Sequence, residues 1–95
     1  MRGVTDPQSW LARARDIASR VLADEPMESW RGDMEEVFAG VFSLPDDLTE
    51  PFRFMYGAVT KIEKPRYPIE EADLREIDHY KRMLREEATR LLARA

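Results

Sequence analysis

The chain contains no cysteine, which excludes disulfides and thiolate chemistry. It has one histidine, His79, so Ser-His or Cys-His catalysis has no well-placed base. Glycine is scarce: Gly32, Gly40 and Gly57 stand isolated, and no glycine-rich phosphate loop exists. No apolar run approaches the roughly 20 residues that span a bilayer. The stretch from Met1 to Pro7 carries one positive charge with no apolar segment behind it, unlike a secretory signal. Together these absences lead us to expect a cytoplasmic protein that takes no cofactor and does not enter membranes.

What is present is helical patterning. The whole chain, residues 1–95, reads as a single helical domain, with 43% hydrophobic and 36% charged residues. From Ile69 to Ala95 there is neither Gly nor Pro. Apolar side chains recur there at Leu74, Ile77, Tyr80, Leu84, Ala88, Leu91, Leu92 and Ala95, the period of a long C-terminal helix buried along one face. Glu70, Glu71 and Asp73 at its start and Arg90 and Arg94 at its end suit the helix macrodipole. A first helix is expected from Pro7 to Ala23, capped by Asp6 and buried through Trp10, Leu11, Ala14, Ile17, Ala18, Val21 and Leu22. Pro26 keeps it from running past Asp24.

A second helix is expected from Met27 to Phe42, with Met27, Trp30, Met34, Val37, Phe38, Val41 and Phe42 facing the core. A third is expected to be capped by Thr49, with Glu50 and Pro51 in its first turn and Leu48, Phe52, Met55, Tyr56, Val59 and Ile62 at helical spacing. Residues 52–58 also alternate like a strand, but a lone strand has nothing to pair with. Lys64–Pro68 forms a stiff connection, and Pro68 opens the fourth helix. The expected fold is all-α, a compact four-helix bundle with a long C-terminal helix.

Charge is uneven along the chain. Residues 25–50 carry eight carboxylates against Arg31, a net of −7, whereas residues 51–68 carry a net of +3; the whole chain is −4. An acidic segment repels a phosphate backbone and attracts a basic partner. Arginine outnumbers lysine twelve to three, which suits a GC-rich bacterial genome.

Three constellations bear on chemistry. Glu76 and His79 have the Glu-x-x-His spacing of metal-binding bundles, but His79 points away from the stripe centred on Ile77, and a single histidine could complete such a site only across a dimer. Glu35–Glu36 with Glu70, Glu71 and Asp73 resembles the acidic clusters by which all-helical nucleotide pyrophosphatases hold magnesium. That pattern needs a third carboxylate one turn after the glutamate pair, where Ala39 stands. Finally, the turn at Leu44–Leu48 between two helices could form a helix-turn-helix presenting Arg53 and Lys61 to DNA, although Glu50 sits where base contacts would start. The tripeptide Arg31-Gly32-Asp33 spells an adhesion motif by chance.

The leading expectation is a non-enzymatic protein-binding module: an inhibitor, immunity or antitoxin-like protein, or a small subunit of an assembly. Its partner is a protein of basic character, and nucleic acid ranks below it. Asp33, Glu35, Glu36, Asp46 and Asp47 are the candidate docking charges, and Arg53 and Phe54 a candidate exposed pair. Because the last helix outruns the others, either it bends or its far end packs against another chain, and Leu91 and Leu92 are the expected contacts of a homodimer or hetero-complex through that end. A DNA-binding regulator is the alternative, and a metal-binding or magnesium-dependent helical enzyme comes third. No catalytic, cofactor-binding or metal-ligating residue is assigned.

Overall fold

Four α-helices pack around one hydrophobic core in a computed structural model that describes residues 6–63 and 70–94. They are α1 (Pro7–Leu22), α2 (Met27–Ala39), α3 (Asp46–Glu63) and α4 (Glu71–Ala93), with a 3₁₀ turn, Gly40–Ser43, between α2 and α3. The all-α bundle with a long last helix is as expected. Among the described residues there is no strand, and residues 52–58 lie within α3. The connection expected at Lys64–Pro68, the opening of the last helix at Pro68 and Ile69, and its end at Ala95 lie outside the described residues. None of the helices is long and apolar enough to cross a membrane.

Local chemistry accounts for the helix ends. The Asp6 carboxylate accepts from the Ser9 backbone amide at 2.8 Å, and Pro7 occupies the first turn, where its missing N–H costs nothing. At the other end of α1, Asp24 adopts the left-handed conformation with φ of 61°. The Glu25 amide donates to the Arg20 carbonyl (3.1 Å) and the Asp24 amide to that of Val21 (3.0 Å). This is the paired geometry that ends helices at glycine, here adopted by an aspartate. The Asp24 carboxylate also accepts from Arg85 of α4 at 2.7 Å. α4 opens with a reciprocal capping box between Glu70 and Asp73.

Two boundaries differ from expectation. α2 stops at Ala39 and tightens into the 3₁₀ turn, which advances each residue by about 120° rather than 100°. Gly40 turns inward, Val41 is buried as expected, and Phe42, expected in the core, is 79% exposed. α3 starts at Asp46, and Thr49 is no cap: it is fully buried inside the first turns, its hydroxyl donating toward the Pro45 and Asp46 carbonyls at 3.4 Å. Pro51 consequently lies inside the helix, where it cannot donate to the Asp47 carbonyl. Arg94, from the end of α4, donates to that carbonyl instead.

The core joins Trp10, Ile17, Met34, Val37, Phe52, Met55, Val59 and Leu91, all at most 1% exposed. Leu91 thus belongs to the chain's own interior and is not the free dimer contact expected of it. Leu92 is half-buried against the same core, and its carbonyl accepts from Arg15 at 3.2 Å. α3 and α4 make the most extensive helix pair, with the end of α4 beside the start of α3. The uncovered end of α4 is therefore its beginning, where Leu74 is 54% exposed.

Candidate functional site

The most distinctive surface lies where α2, the 3₁₀ turn and α3 meet. Phe38 of α2 stacks on Tyr56 of α3, with ring centroids 3.8 Å apart and planes 8° from parallel. Phe42 meets the Phe38 ring edge-on at 5.6 Å. The Arg31 guanidinium stands over the Tyr56 ring, 5.4 Å from its centroid. Arg31 closes the row with a two-pronged contact to Glu63, at 2.8 and 3.2 Å. The sequence thus builds one continuous row, Phe42–Phe38–Tyr56–Arg31–Glu63, across two helices. Phe38 and Tyr56 are half-buried and packed against the core, so the row has a rigid base.

Glu35 ties into the same row. Its carboxylate accepts from the Tyr56 hydroxyl at 2.9 Å and lies 2.8 Å from Arg31. The Tyr56 hydrogen bond, then the Arg31 bond and charge, hold Glu35 below its ordinary carboxyl range. The same bond to Glu35, with some burial, pushes the Tyr56 phenol upward. Arg31 is held still more firmly as a cation, chiefly by Glu63.

These shifts set the pH dependence. A folded carboxyl below its ordinary 4.5 contributes stability at neutral pH that is lost as the pH falls through the depressed value. A phenol raised above 10.0 contributes stability that is fully present below 10.0 and is lost as the pH rises from 10.0 through the raised value. We expect NMR titration to place the Glu35 midpoint below 4.5 and that of Tyr56 above 10.0, with Glu35→Gln returning Tyr56 toward 10.0. An unshifted Tyr56 in the wild type would contradict this geometry.

The five acidic candidates divide into two groups. Asp33 pairs with Arg20 at 2.9 Å, Glu36 with Arg13 at 3.0 Å, and Glu35 with Arg31 and Tyr56. Arg13 and Arg20 of α1 thus sit against two of the carboxylates that give the segment its charge. Asp46 and Asp47 are exposed in the first turn of α3, beside its positive dipole end; among the described residues no side chain pairs with their carboxylates, although Arg53 and Arg94 donate to their backbone carbonyls. They follow Phe42 by four and five residues, so the unpaired carboxylates are close in sequence to the exposed ring.

The remaining candidates are placed as follows. Arg53 does not reach outward: its guanidinium turns back to the Thr49 hydroxyl (3.1 Å) and the Asp46 carbonyl (3.0 Å). This withdraws one of the two cations that a DNA-reading α3 would present, while Lys61 stays exposed. Phe54 is 44% exposed and borders a shallow groove with Tyr80 and Met83 of α4. His79 and Glu76 are exposed, and His79 lies edge-on to Tyr80 with centroids 5.0 Å apart. Among the described residues no three of His, Asp and Glu stand close enough to hold a metal ion.

Sequence reasoning missed Phe42, Phe38 and Tyr56 as surface features because helical spacing assigns all three to the core. The available signal was Gly40 followed by Ser43 and Pro45, which marks a break just before Phe42. The chain matches no protein-family model, no curated protein and no solved structure.

Proposed function

We propose that this chain is a non-enzymatic protein-binding module that docks a basic protein partner on the Phe42–Tyr56 row and on the Asp46 and Asp47 carboxylates that follow Phe42 in sequence. The observation that carries the reading is the 79% exposure of Phe42 at the end of a stacked aromatic row anchored in the core. Interfaces are enriched in aromatic and arginine side chains, and a ring fixed before binding loses little entropy when it docks. Asp46 and Asp47, whose carboxylates are unpaired among the described residues, supply negative charge for steering, whereas Asp33 and Glu36 tie α2 to α1 and Glu35 ties α2 to α3 through Tyr56. An inhibitor, immunity or antitoxin-like protein, or a small subunit of an assembly, acts in this way. The absence of cysteine suits a reducing bacterial cytoplasm.

The test is affinity capture from cells that make the protein naturally, followed by binding kinetics with the captured partner. Phe42→Asp leaves the core untouched and is expected to weaken binding by about 30-fold or more, the range of a central hot-spot residue. Asp46→Asn with Asp47→Asn is expected to slow association and flatten its salt dependence while changing dissociation little. A partner that binds Phe42→Asp as tightly as wild type would overturn the assignment of this surface.

A further inference from the structure

The outer face of α3 carries a second pattern, independent of the aromatic row. Glu50, Phe54, Gly57 and Lys61 are spaced four, three and four residues apart and so form one stripe along the helix. Phe54, Gly57 and Lys61 are exposed and Glu50 is half-exposed. Between α3 and α4 the stripe borders a groove of about 190 Å³, walled by Phe54, Tyr80 and Met83.

Gly57 is the informative residue. Its φ is not positive, so the backbone does not demand glycine there. A Cβ added to it would meet nothing within 4 Å, so neither does the packing of this chain. Glycine in mid-helix weakens the helix relative to alanine. What it provides is a gap in the surface one turn from a protruding phenylalanine.

We infer that the chain forms a two-fold homodimer in which α3 packs antiparallel against α3 of a second copy. The argument is self-complementarity. In an isologous contact residue i meets residue j and j meets i. Running the stripe against itself in reverse, with the axis midway between Phe54 and Gly57, seats Phe54 of each copy over Gly57 of the other. The same register puts Lys61 of each copy opposite Glu50 of the other. No other pairing within the stripe matches ring to gap and cation to carboxylate at once. Lys61 makes no ion pair among the described residues, and Glu50 is held only loosely, 3.6 Å from Arg90. Tyr80 and Met83 flank the seam and extend its apolar area. A contact built mainly on one helix belongs to the small, weak class of interfaces, and a dissociation constant on the order of 10–100 µM is expected.

Sedimentation equilibrium over a wide concentration range tests the inference on the full chain. The wild type is expected to pass from monomer to dimer. Gly57→Gln fills the gap without clashing inside the chain and is expected to leave a folded monomer, with helicity by circular dichroism as the control. Lys61→Glu sets two like charges together at each end of the seam and is expected to weaken dimerisation at least tenfold, and adding Glu50→Lys to it restores the dimer. Carbodiimide cross-linking gives a second readout. Glu50 and Lys61 of one chain lie roughly 16 Å apart along the helix, so a zero-length link between them joins two chains. A wild type that stays monomeric throughout, a Gly57→Gln variant that dimerises as well as wild type, or a double exchange that fails to restore the dimer would each overturn the inference.

Discussion

Trp10→Ala is expected to cost about 3–5 kcal/mol, the range for removing a fully enclosed large aromatic. The indole has 0% exposure and sits where α1, α2 and α3 converge. Its Nε1 donates to the Val37 carbonyl at 2.8 Å, and its ring meets Phe52 edge-on at 5.6 Å. Truncation leaves a cavity that three helices cannot close together. A domain of this size has a total stability of about 5–14 kcal/mol at the usual 0.05–0.15 kcal/mol per residue. The loss therefore consumes a large share of it and is expected to lower the melting temperature by about 12–40 °C, at 4–8 °C per kcal/mol. Thermal unfolding followed by circular dichroism measures this directly. Trp10→Phe keeps most of the ring and loses the hydrogen bond, with an expected cost of about 1–2 kcal/mol. A drop below about 5 °C for Trp10→Ala would mean that the indole does not anchor the three helices.

The same residue shows why much of the fold was legible in the sequence. Trp10, Ala14, Ile17, Ala18 and Val21 recur at helical spacing behind an Asp-Pro start, and both signals act within one helix. The errors arose where neighbouring turns or other helices decide. Phe42 keeps the helical period with Phe38, yet the 3₁₀ turn at Gly40 rotates it outward. Thr49 resembles a cap, but α3 tolerates Pro51 inside it, with Arg94 from a distant helix donating to the Asp47 carbonyl. The charge of residues 25–50 is a property of the segment, and folding brings Arg13 and Arg20 against Glu36 and Asp33. The Phe38–Tyr56 stack depends on the register between α2 and α3, which no single-helix pattern encodes. The aromatic row was thus hidden from sequence patterns, and of the docking carboxylates named from the sequence only those of Asp46 and Asp47 stand unpaired among the described residues.

The contrast between the two ends of α4 gives the other large effect. Leu91→Asp is expected to unfold the isolated chain. Leu91 is fully buried in the core, and an aspartate there is an unpaired charge in an apolar site as well as a lost leucine. Truncation of a buried leucine alone costs about 2–5 kcal/mol, and the uncompensated carboxylate adds to it. Leu74→Asp is expected to stay folded, because Leu74 is already 54% exposed near the start of the same helix. Loss of helical signal and of a cooperative melting transition in Leu91→Asp, with both retained in Leu74→Asp, would establish which end of α4 the bundle needs. If α4 instead offered its far end to a second chain, Leu91→Asp would remain a folded monomer with near-native melting. Leu91 is enclosed by its own chain, and that burial is what makes unfolding the expected result.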